Sequence, residues 1–376
     1  MTAPRVVVAG GHSAGHIEPA MNFADALRRL EPTAEITALG TVRGLDTTLI
    51  PARGYPLELI PPVPLARGLN RALLRTPGRL RDAVRAAGAV LDRVRAEVVV
   101  GFGGYVAAPA YLAARGQGVA IVVHEANALP GVANRLAARM TTSVFTAAPG
   151  IRLAHATAIG IPLRPSITGL DRPALRDTAR RRFGLRSEGP VLLVTGGSQG
   201  ADAINAGVSG AAAALRAAGV QVLHITGPRH VVEVPDSDPP YVVVPYVDEM
   251  RYAYAAADFV VCRSGAMTCA ELAAVGLPSA FVPLSRRGGE QRLNAGPVVA
   301  AGGALLVGEA DFGPAWIEST LLPVLTDPAR IAAMSARVSA GGAADADVVL
   351  ARHVLTAVAE RRAAAPRRAA LRRRVG

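Results

Sequence analysis

The sequence has no lysine, few aromatic residues and almost no cysteine. Arginine therefore carries the whole basic side of the net charge, which is +12 over 376 residues. The two cysteines, Cys262 and Cys269, have neither the spacing of a zinc site nor the number that a disulfide framework needs, which indicates a reducing compartment, with a single bridge as the alternative. Because only 4% of the residues are aromatic, the core must be built from Val, Leu and Ala.

Long hydrophobic runs are also missing. The longest uncharged stretch, residues 98–114, is interrupted by three glycines and a proline. It falls short of the roughly 20 apolar residues that a membrane-spanning helix needs. The N-terminus lacks the charged start and long apolar core of a signal peptide. We therefore predict a soluble protein that does not cross a membrane.

Apolar, β-branched runs alternate with Ala/Leu/Arg helical patterns, which is typical of parallel sheets covered by helices. Each half of the chain opens with a strand, a glycine-rich turn and a helix. The fold class is thus predicted as α/β, with two Rossmann-like doubly wound domains facing across a cleft. We predict strands at residues 5–9, 35–40, 97–100, 119–123, 143–146, 191–195, 221–225, 241–244, 259–262, 279–282 and 304–307.

The domain boundary is predicted beside two prolines, Pro162 and Pro165. The first domain then covers residues 1–162, the second 163–342, and a long terminal helix 343–362. An arginine-rich tail over 363–376 is predicted to be disordered, with contact to anionic lipid as the alternative.

The first glycine loop, residues 10–19, reads GGHSAGHIEP and is neither a dinucleotide fingerprint nor a Walker A loop. His16 stands at the start of the helix that follows, where the helix dipole favours a neutral imidazole. We interpret it as a candidate general base. A capping or packing histidine is the alternative. His12 lies four residues earlier but has no third ligand nearby, so we expect no metal there.

Two further loops have the same strand–loop–helix setting: residues 196–201, GGSQGA, and 263–272, RSGAMTCAEL. Their glycines and helix-start amides suit a diphosphate. Glu271 is a candidate acceptor for ribose hydroxyls, with a solvated helix carboxylate as the alternative. Two Asp-x-Asp pairs, at 236–238 and 345–347, suggest metal sites but adjoin prolines or glycines, and we interpret them as loop or cap residues.

A basic stretch over residues 67–85 contains six arginines, interleaved leucines and one acid. Such a segment can lie on anionic lipid. A solvated helix whose leucines face the core is the alternative. The predicted membrane patch consists of Arg67, Arg71, Leu74, Arg75 and Arg79.

Six motifs in order resemble glycosyltransferase family 28 over nearly the whole chain: residues 11–19, 101–105 (GFGGY), 124–127 (HEAN), 196–201, 263–271 and 291–295 (QRLNA). The resemblance implies a GT-B fold whose C-terminal helix crosses back to the first domain. It also implies inverting transfer of GlcNAc from UDP-GlcNAc to the MurNAc 4-hydroxyl of undecaprenyl-pyrophosphoryl-MurNAc-pentapeptide (lipid I) in peptidoglycan synthesis. No cofactor or tightly bound metal is implied.

The same resemblance implies roles for individual residues. His16 would be the base, with Glu125 as second choice. The lipid acceptor site would contain Ser13, Gly15, Tyr105 and Glu125. The UDP-GlcNAc site would contain Ser13, Ala14, Gly15, Asn127, Arg164, Ser198, Val247, Ala266, Met267, Thr268, Glu271 and Gln291. Within that set, Val247 would meet uracil through its backbone and Gln291 would contact GlcNAc.

The chain departs from the family pattern at two positions. His12 adds bulk where the family usually has glycine, and Glu290 stands where some relatives have Gln. These changes affect the expected acceptor geometry more than the reaction class. The implied partners are UDP-GlcNAc, lipid I, anionic inner-leaflet lipids, and cell-wall synthesis and division proteins, at the cytoplasmic face of the cell membrane.

Three other functions are open on sequence alone. They are a related GT-B transferase acting on another lipid or a natural product, a non-catalytic UDP-sugar-binding protein, and a nucleic-acid-binding protein. Residues 101–105 argue against the first, and the retained His16, Glu125, Glu271 and Gln291 argue against the second. The third lacks aromatic platforms or a recognisable module, so we expect no nucleic acid.

Overall fold

The computed structural model describes residues 2–63, 76–234, 238–285, 289–339 and 345–375. The chain divides into two compact units. The first unit consists of Met1–Leu163 together with Asp345–Gly376, and the second unit of Arg164–Ala344. In sequence, the second unit is therefore inserted between two parts of the first.

The first unit is built on a seven-stranded parallel sheet in the order β3-β2-β1-β4-β5-β6-β7. Its central strands are rich in Val, and their side chains are buried on both faces, as in other parallel sheets covered by helices. The strands are β1 (Arg5–Gly10), β2 (Glu35–Gly40), β3 (Leu57–Leu59), β4 (Val98–Gly103), β5 (Ala120–Glu125), β6 (Val144–Thr146) and β7 (Ala156–Ala158).

Helices cover both faces of this sheet. Successive side chains of β1 point to opposite sides, so that Val6 and Val8 pack into one apolar cluster and Val7 and Ala9 into another. The helices in the first part of the unit are α1 (Ala14–Leu30), α2 (Asp46–Ala52), α3 (Thr76–Arg93), α4 (Ala107–Gln117) and α5 (Val132–Ala137).

The second unit has a six-stranded parallel sheet in the order β10-β9-β8-β11-β12-β13. Its strands are β8 (Val191–Thr195), β9 (Gln221–Ile225), β10 (Tyr241–Val244), β11 (Phe259–Cys262), β12 (Ser279–Phe281) and β13 (Ala304–Leu306). The helices are α6 (Pro165–Thr168), α7 (Arg172–Arg182), α8 (Asp202–Gly210), α9 (Ala212–Ala217), α10 (Met250–Ala256), α11 (Ala266–Val275), α12 (Glu290–Ala300), α13 (Pro314–Trp316), α14 (Leu322–Leu325) and α15 (Pro328–Ser339), with a π-helical turn at Ile317–Leu321. The predicted α/β class with two parallel sheets is confirmed.

The last helix, α16 (Ala346–Val375), returns to the first unit and completes its core. Leu350 and Val354 are fully buried in the same cluster as α1, and Asp347 pairs with Arg29 of α1 at 2.7 Å. The predicted return of this helix is confirmed. The helix extends to Val375, in keeping with the high helix propensity of alanine, leucine and arginine, and the disorder of residues 363–376 stays a prediction.

Candidate active site

The connectivity gathers the predicted site residues at two sheet edges, one in each unit. In a parallel sheet the carboxyl ends of neighbouring strands share an edge, and ligands bind there. In the first unit, the loops after β1, β4 and β5 lie side by side. In the second unit, the loops after β8, β9, β11 and β12 do the same.

The loop after β1 holds His16 in the first turn of α1. Ser13 is the N-cap residue of α1, yet its hydroxyl makes no cap hydrogen bond and instead lies 2.9 Å from His16 Nδ1. Burial, helped by the charge of His12, lowers the pKa of His16 to about 4, so its ring is neutral near pH 7. In the tautomer with the proton on Nδ1, that nitrogen donates to Ser13 Oγ and Nε2 is the basic nitrogen.

The turn after β4 makes room for this ring. Gly103 and Gly104 have φ angles of 90° and 79°, in the left-handed region that favours glycine. A Cβ on Gly103 would lie 3.2 Å from His16 Cδ2 and 3.4 Å from His16 Nε2, so the missing side chain leaves His16 its space. The next residue, Tyr105, makes an edge-on ring contact with His12.

Glu125, at the end of β5, is 3% exposed, and both of its carboxylate oxygens accept hydrogen bonds. Oε1 accepts the Asn127 backbone N–H at 2.9 Å, and Oε2 accepts the Gly131 backbone N–H at 2.9 Å. Burial raises the pKa of Glu125, although these hydrogen bonds act in the opposite direction. The carboxylate therefore closes the loop between β5 and α5.

Two buried residues that the sequence analysis missed extend this network. Tyr111 donates to Asn134 Oδ1 at 2.8 Å, and Asn134 Nδ2 donates to Glu125 Oε2 at 2.9 Å. A Cβ on Gly101 would overlap the Tyr111 hydroxyl, so glycine is the residue that fits at this position. In the sequence, the glycines of residues 101–105 were the available sign of this network, because glycine occurs where another group closely approaches the backbone.

In the second unit, the loop after β8 offers mainly backbone. Gly200 has a φ angle of 77°, and a Cβ there would overlap the carbonyl of Thr226 in the loop after β9. Gly197 also has positive φ, and its N–H donates to Thr195 Oγ1 at 3.2 Å. Ser198 is exposed at the tip of this loop. The two loops thus pack backbone to backbone and present a hydroxyl and amides.

The loop after β11 leads into α11 through Gly265, its N-cap residue. Ala266, Met267 and Thr268 are half-buried in the first turn, where helix amides have no intrahelical partner. Ser264 is fully buried, and its Oγ has no hydrogen-bond partner in the described part of the chain.

Glu271, farther along α11, is half-buried and held by a neighbour. The hydroxyl of Tyr254, a residue of α10 that is 2% exposed, donates to Glu271 Oε2 at 2.7 Å. The pKa of Tyr254 is raised well above its usual value, mainly by burial and also by the Glu271 charge, so the hydroxyl keeps its proton and acts as a fixed donor.

The remaining predicted donor residues are spread over both units. Gln291, on α12, uses Oε1 to accept the Leu284 backbone N–H at 2.9 Å. Val247 is half-buried after β10, and Arg164 is the first residue of the second unit. Asn127 belongs to the first unit, as do Ser13, Ala14 and Gly15. The structure therefore groups the predicted donor residues into two sets, one in each unit.

The structure also locates part of the predicted membrane patch and of the two Asp-x-Asp pairs. Arg67, Arg71, Leu74 and Arg75 of the predicted membrane patch and Asp236 lie outside the described residues, whereas Arg79 is exposed on α3. Asp238 pairs with Arg186, and Asp347 with Arg29. Across the described ranges, no three His, Cys, Asp or Glu side chains cluster as metal ligands would. None of the described helices is long and apolar enough to cross a membrane.

Comparison with known proteins identifies the family to which this architecture belongs. Residues 6–146 match the glycosyltransferase family 28 N-terminal domain, and residues 191–350 match the family 28 C-terminal domain. The crystal structure of MurG from Acinetobacter baumannii aligns with a TM-score of 0.77 at 25% identity, over 94% of this chain and 99% of that chain.

Two curated relatives carry the name UDP-N-acetylglucosamine–N-acetylmuramyl-(pentapeptide) pyrophosphoryl-undecaprenol N-acetylglucosamine transferase. The relative from Thermobifida fusca is 55% identical over 354 residues, which is 93% of each chain. The relative from Saccharopolyspora erythraea is 57% identical over 356 residues, which is 94% of each chain.

Two Rossmann-like units with glycine-rich loops at their carboxyl edges define a glycosyltransferase of the GT-B class. Within that class, the chain belongs to glycosyltransferase family 28. The family resemblance drawn from the six sequence motifs is confirmed.

Proposed function

We propose that this enzyme transfers GlcNAc from UDP-GlcNAc to the MurNAc 4-hydroxyl of lipid I, as the names of its relatives suggest. The observation that supports the proposal most directly is the environment of His16. Its ring is neutral, is oriented through Nδ1 by Ser13, and packs against a turn that lacks side chains. A neutral imidazole at a ligand-binding sheet edge is suited to remove a proton from a hydroxyl.

The proposed reaction is a single displacement with inversion at C1 of GlcNAc. The O4 proton of the acceptor moves to His16 Nε2 as O4 forms its bond to C1. The bond from C1 to the β-phosphate oxygen breaks, and its electron pair leaves with UDP. Amides of the loops after β8 and β11 stabilise the charge that develops on the diphosphate.

Glu125 is assigned a different role from the one suggested by sequence. Its two oxygens already accept four hydrogen bonds, from Asn127, Gly131 and Asn134. A base needs an oxygen that faces the proton it removes. We therefore assign the proton transfer to His16 and the ordering of the neighbouring loop to Glu125.

The donor site is assigned to the second unit. The diphosphate binds at Ser198 and the first turn of α11, and Glu271 accepts hydrogen bonds from the ribose hydroxyls. The Tyr254 hydroxyl on Oε2 fixes the orientation of the Glu271 carboxylate toward that ligand. Val247, Gln291 and Arg164 complete the proposed UDP-GlcNAc contacts of this unit, and Asn127 stays a donor-site prediction in the first unit.

The enzyme is proposed to work as a peripheral protein at the cytoplasmic face of the cell membrane, because its acceptor is a membrane lipid. The exposed Arg79 supports contact with anionic inner-leaflet lipids. Cell-wall synthesis and division proteins are proposed as partners because the product enters peptidoglycan.

The function is tested by transfer of labelled sugar to lipid I from UDP-GlcNAc, measured beside UDP-glucose and UDP-GalNAc. We expect a labelled lipid product that depends on UDP-GlcNAc and lipid I together. Transfer only to a different lipid or a natural-product acceptor would replace the proposed acceptor. Binding of UDP-GlcNAc without turnover on any acceptor would contradict catalysis.

A further inference from the structure

One guanidinium in the second unit joins the two helices that carry Tyr254 and Glu271. Tyr254 is on α10, Glu271 is on α11, and the Tyr254 hydroxyl donates to Glu271 Oε2 at 2.7 Å. Arg172, the first residue of α7, reaches the carboxyl ends of both helices. The alignment of this pair therefore involves a third residue, which is not among the site residues predicted from sequence.

The contacts of Arg172 are divided between the two helix ends. At α10, its Nε donates to the Tyr254 carbonyl at 3.1 Å, and its Nη2 donates to the Ala257 carbonyl at 2.6 Å. At α11, its Nη1 donates to the carbonyls of Val275 at 3.4 Å and Gly276 at 3.2 Å. All three guanidinium nitrogens are thus used, and the backbone of Tyr254 itself is one of the acceptors.

These helix ends need a donor. The last four carbonyls of a helix have no partner within it, and they form the negative end of the helix dipole. Ala257 is the C-cap residue of α10, and Gly276 is the C-cap residue of α11. Burial lowers the pKa of Arg172 to about 10, so the guanidinium is still charged near pH 7. A single cation therefore serves two helix ends at once.

A second arginine of the same helix lacks this bridging position. Arg180, about two turns farther along α7, is 1% exposed and donates to the Ala256 carbonyl of α10 at 3.2 Å. It also pairs with Asp258 at 2.9 Å and donates to carbonyls of residues 186, 187 and 189. Among the described residues, none of its hydrogen bonds is to α11. Arg180 thus anchors α7, whereas Arg172 connects α10 to α11.

We propose that Arg172 is a positioning residue of the donor site, which directs the Glu271 carboxylate toward the ribose of UDP-GlcNAc by fixing α10 against α11. The inference rests on the proposed function, since Glu271 is the assigned ribose acceptor. A planar guanidinium is needed because its fixed fork of N–H groups reaches both helix ends, which the point charge of a lysine does not. A shift between the helices would lengthen the bond from Tyr254 to Glu271 and turn the carboxylate away from the ribose.

The test compares Arg172→Lys with the matched change Arg180→Lys. Both variants keep a positive charge and remove a buried guanidinium from α7, so both should lower the melting temperature. Binding of UDP-GlcNAc is measured directly by calorimetry without acceptor, beside initial rates with each substrate varied. The binding measurement is repeated for Arg172→Lys in the Glu271→Ala background.

We expect Arg172→Lys to raise the Kd and KM for UDP-GlcNAc about three- to tenfold, because the ribose hydroxyls lose an aligned charged acceptor. Its kcat and acceptor KM should stay within about twofold of wild type. Arg180→Lys should leave all of these constants within about twofold, although it removes the more deeply buried guanidinium. In the Glu271→Ala background, Arg172→Lys should not raise the Kd further, because the carboxylate that it positions is gone.

Four results would overturn the inference. An unchanged UDP-GlcNAc Kd in folded Arg172→Lys would show that the guanidinium only stabilises the fold. An equal rise in Arg180→Lys would assign the effect to a general loosening of α7. A further rise in the Glu271→Ala background would mean that Arg172 acts independently of Glu271. Arg172→Gln, which keeps N–H donors, replaces Arg172→Lys if that variant does not fold, and failure of both to fold would leave only a structural role.

Failure of the proposed function gives a different result. If Glu271→Ala alone leaves the UDP-GlcNAc Kd at the wild-type value, the assigned donor site is wrong, and the inference about Arg172 is overturned with it. That outcome is read from a variant in which Arg172 is intact, so it is distinct from the four above.

Discussion

The two units share one architecture but place different chemistry at corresponding edges. In the first unit, the loops after β1, β4 and β5 bring together titratable side chains, His16 and Glu125, that are packed and hydrogen-bonded. In the second unit, the loops after β8 and β11 present glycine backbone, hydroxyls and helix-start amides. The comparison teaches that the fold fixes where a ligand binds, whereas a few side chains decide whether the site activates a nucleophile or holds an anion.

The helix starts themselves do not make the difference. Both α1 and α11 direct the positive end of a helix dipole at their loops. In the first unit burial, together with this positive end, keeps the ring of His16 unprotonated near pH 7, as the proposed base must be. In the second unit a glycine N-cap, Gly265, leaves the same positive end open to phosphate oxygens.

The largest expected effect is the loss of the proposed base, His16. His16→Ala should lower kcat by about 10²–10⁴ while leaving the UDP-GlcNAc KM near wild type, because only the first unit loses a catalytic group. The measurement is steady-state kinetics with both substrates varied, beside the melting temperature. A folded His16→Asn variant with wild-type turnover would show that His16 only packs in the first turn of α1, and the role of base would have to move elsewhere.

The second unit should respond in the opposite way. Glu271→Ala should raise the UDP-GlcNAc KM by about 10- to 100-fold with a smaller change in kcat, because in the proposed donor site the ribose hydroxyls lose a charged acceptor worth about 1.5–3 kcal/mol. The matched variant is Tyr254→Phe, which keeps the carboxylate but removes its fixed donor and should have a smaller effect on the same constant. If Tyr254→Phe were equally damaging in the Glu271→Ala background, the two residues would not act together.

The smallest expected effect is one that the two units share. His124 in the first unit and His224 in the second are fully buried, and burial lowers the pKa of each to about 4. The unfolded chain binds these protons near pH 6.5, so each histidine stabilises the fold fully above pH 6.5 and progressively less as the pH falls toward 4. Each should therefore remove about 1.5 kcal/mol from the free energy of unfolding between pH 6.5 and 5.

Urea unfolding at several pH values checks this expectation. His124→Gln and His224→Gln should each flatten the pH dependence relative to wild type, whatever their stability at pH 7. An unchanged slope in both variants would assign the acid sensitivity to other groups.

The central strands could be predicted from sequence because each is a buried apolar run. All eleven predicted strands overlap observed ones. The two that were missed, β3 (Leu57–Leu59) and β7 (Ala156–Ala158), are three-residue edge strands with little burial, so no apolar run marks them. They form because a neighbouring strand offers hydrogen bonds, which is information that the local sequence does not contain.

The candidate site divides in the same way. The glycine loops and His16 could be predicted, because each is marked by a pattern within a short stretch of the chain. The Tyr111–Asn134–Glu125 network and the Tyr254–Glu271 pair do not, because each joins residues that only the fold brings together. For the same reason, the sequence analysis named Glu125 as the second choice for the base, whereas its hydrogen bonds support a role in ordering the loop.

The return of α16 to the first unit has a consequence for synthesis on the ribosome. The second unit ends at Ala344, whereas the core of the first unit needs Leu350, Val354 and Val358 from α16. Domains generally fold as units while the chain is made, in the order in which they become complete. The half of the protein that is translated first is thus the half that finishes folding last, and one apolar face of its sheet, although packed by α1, stays partly uncovered until α16 emerges.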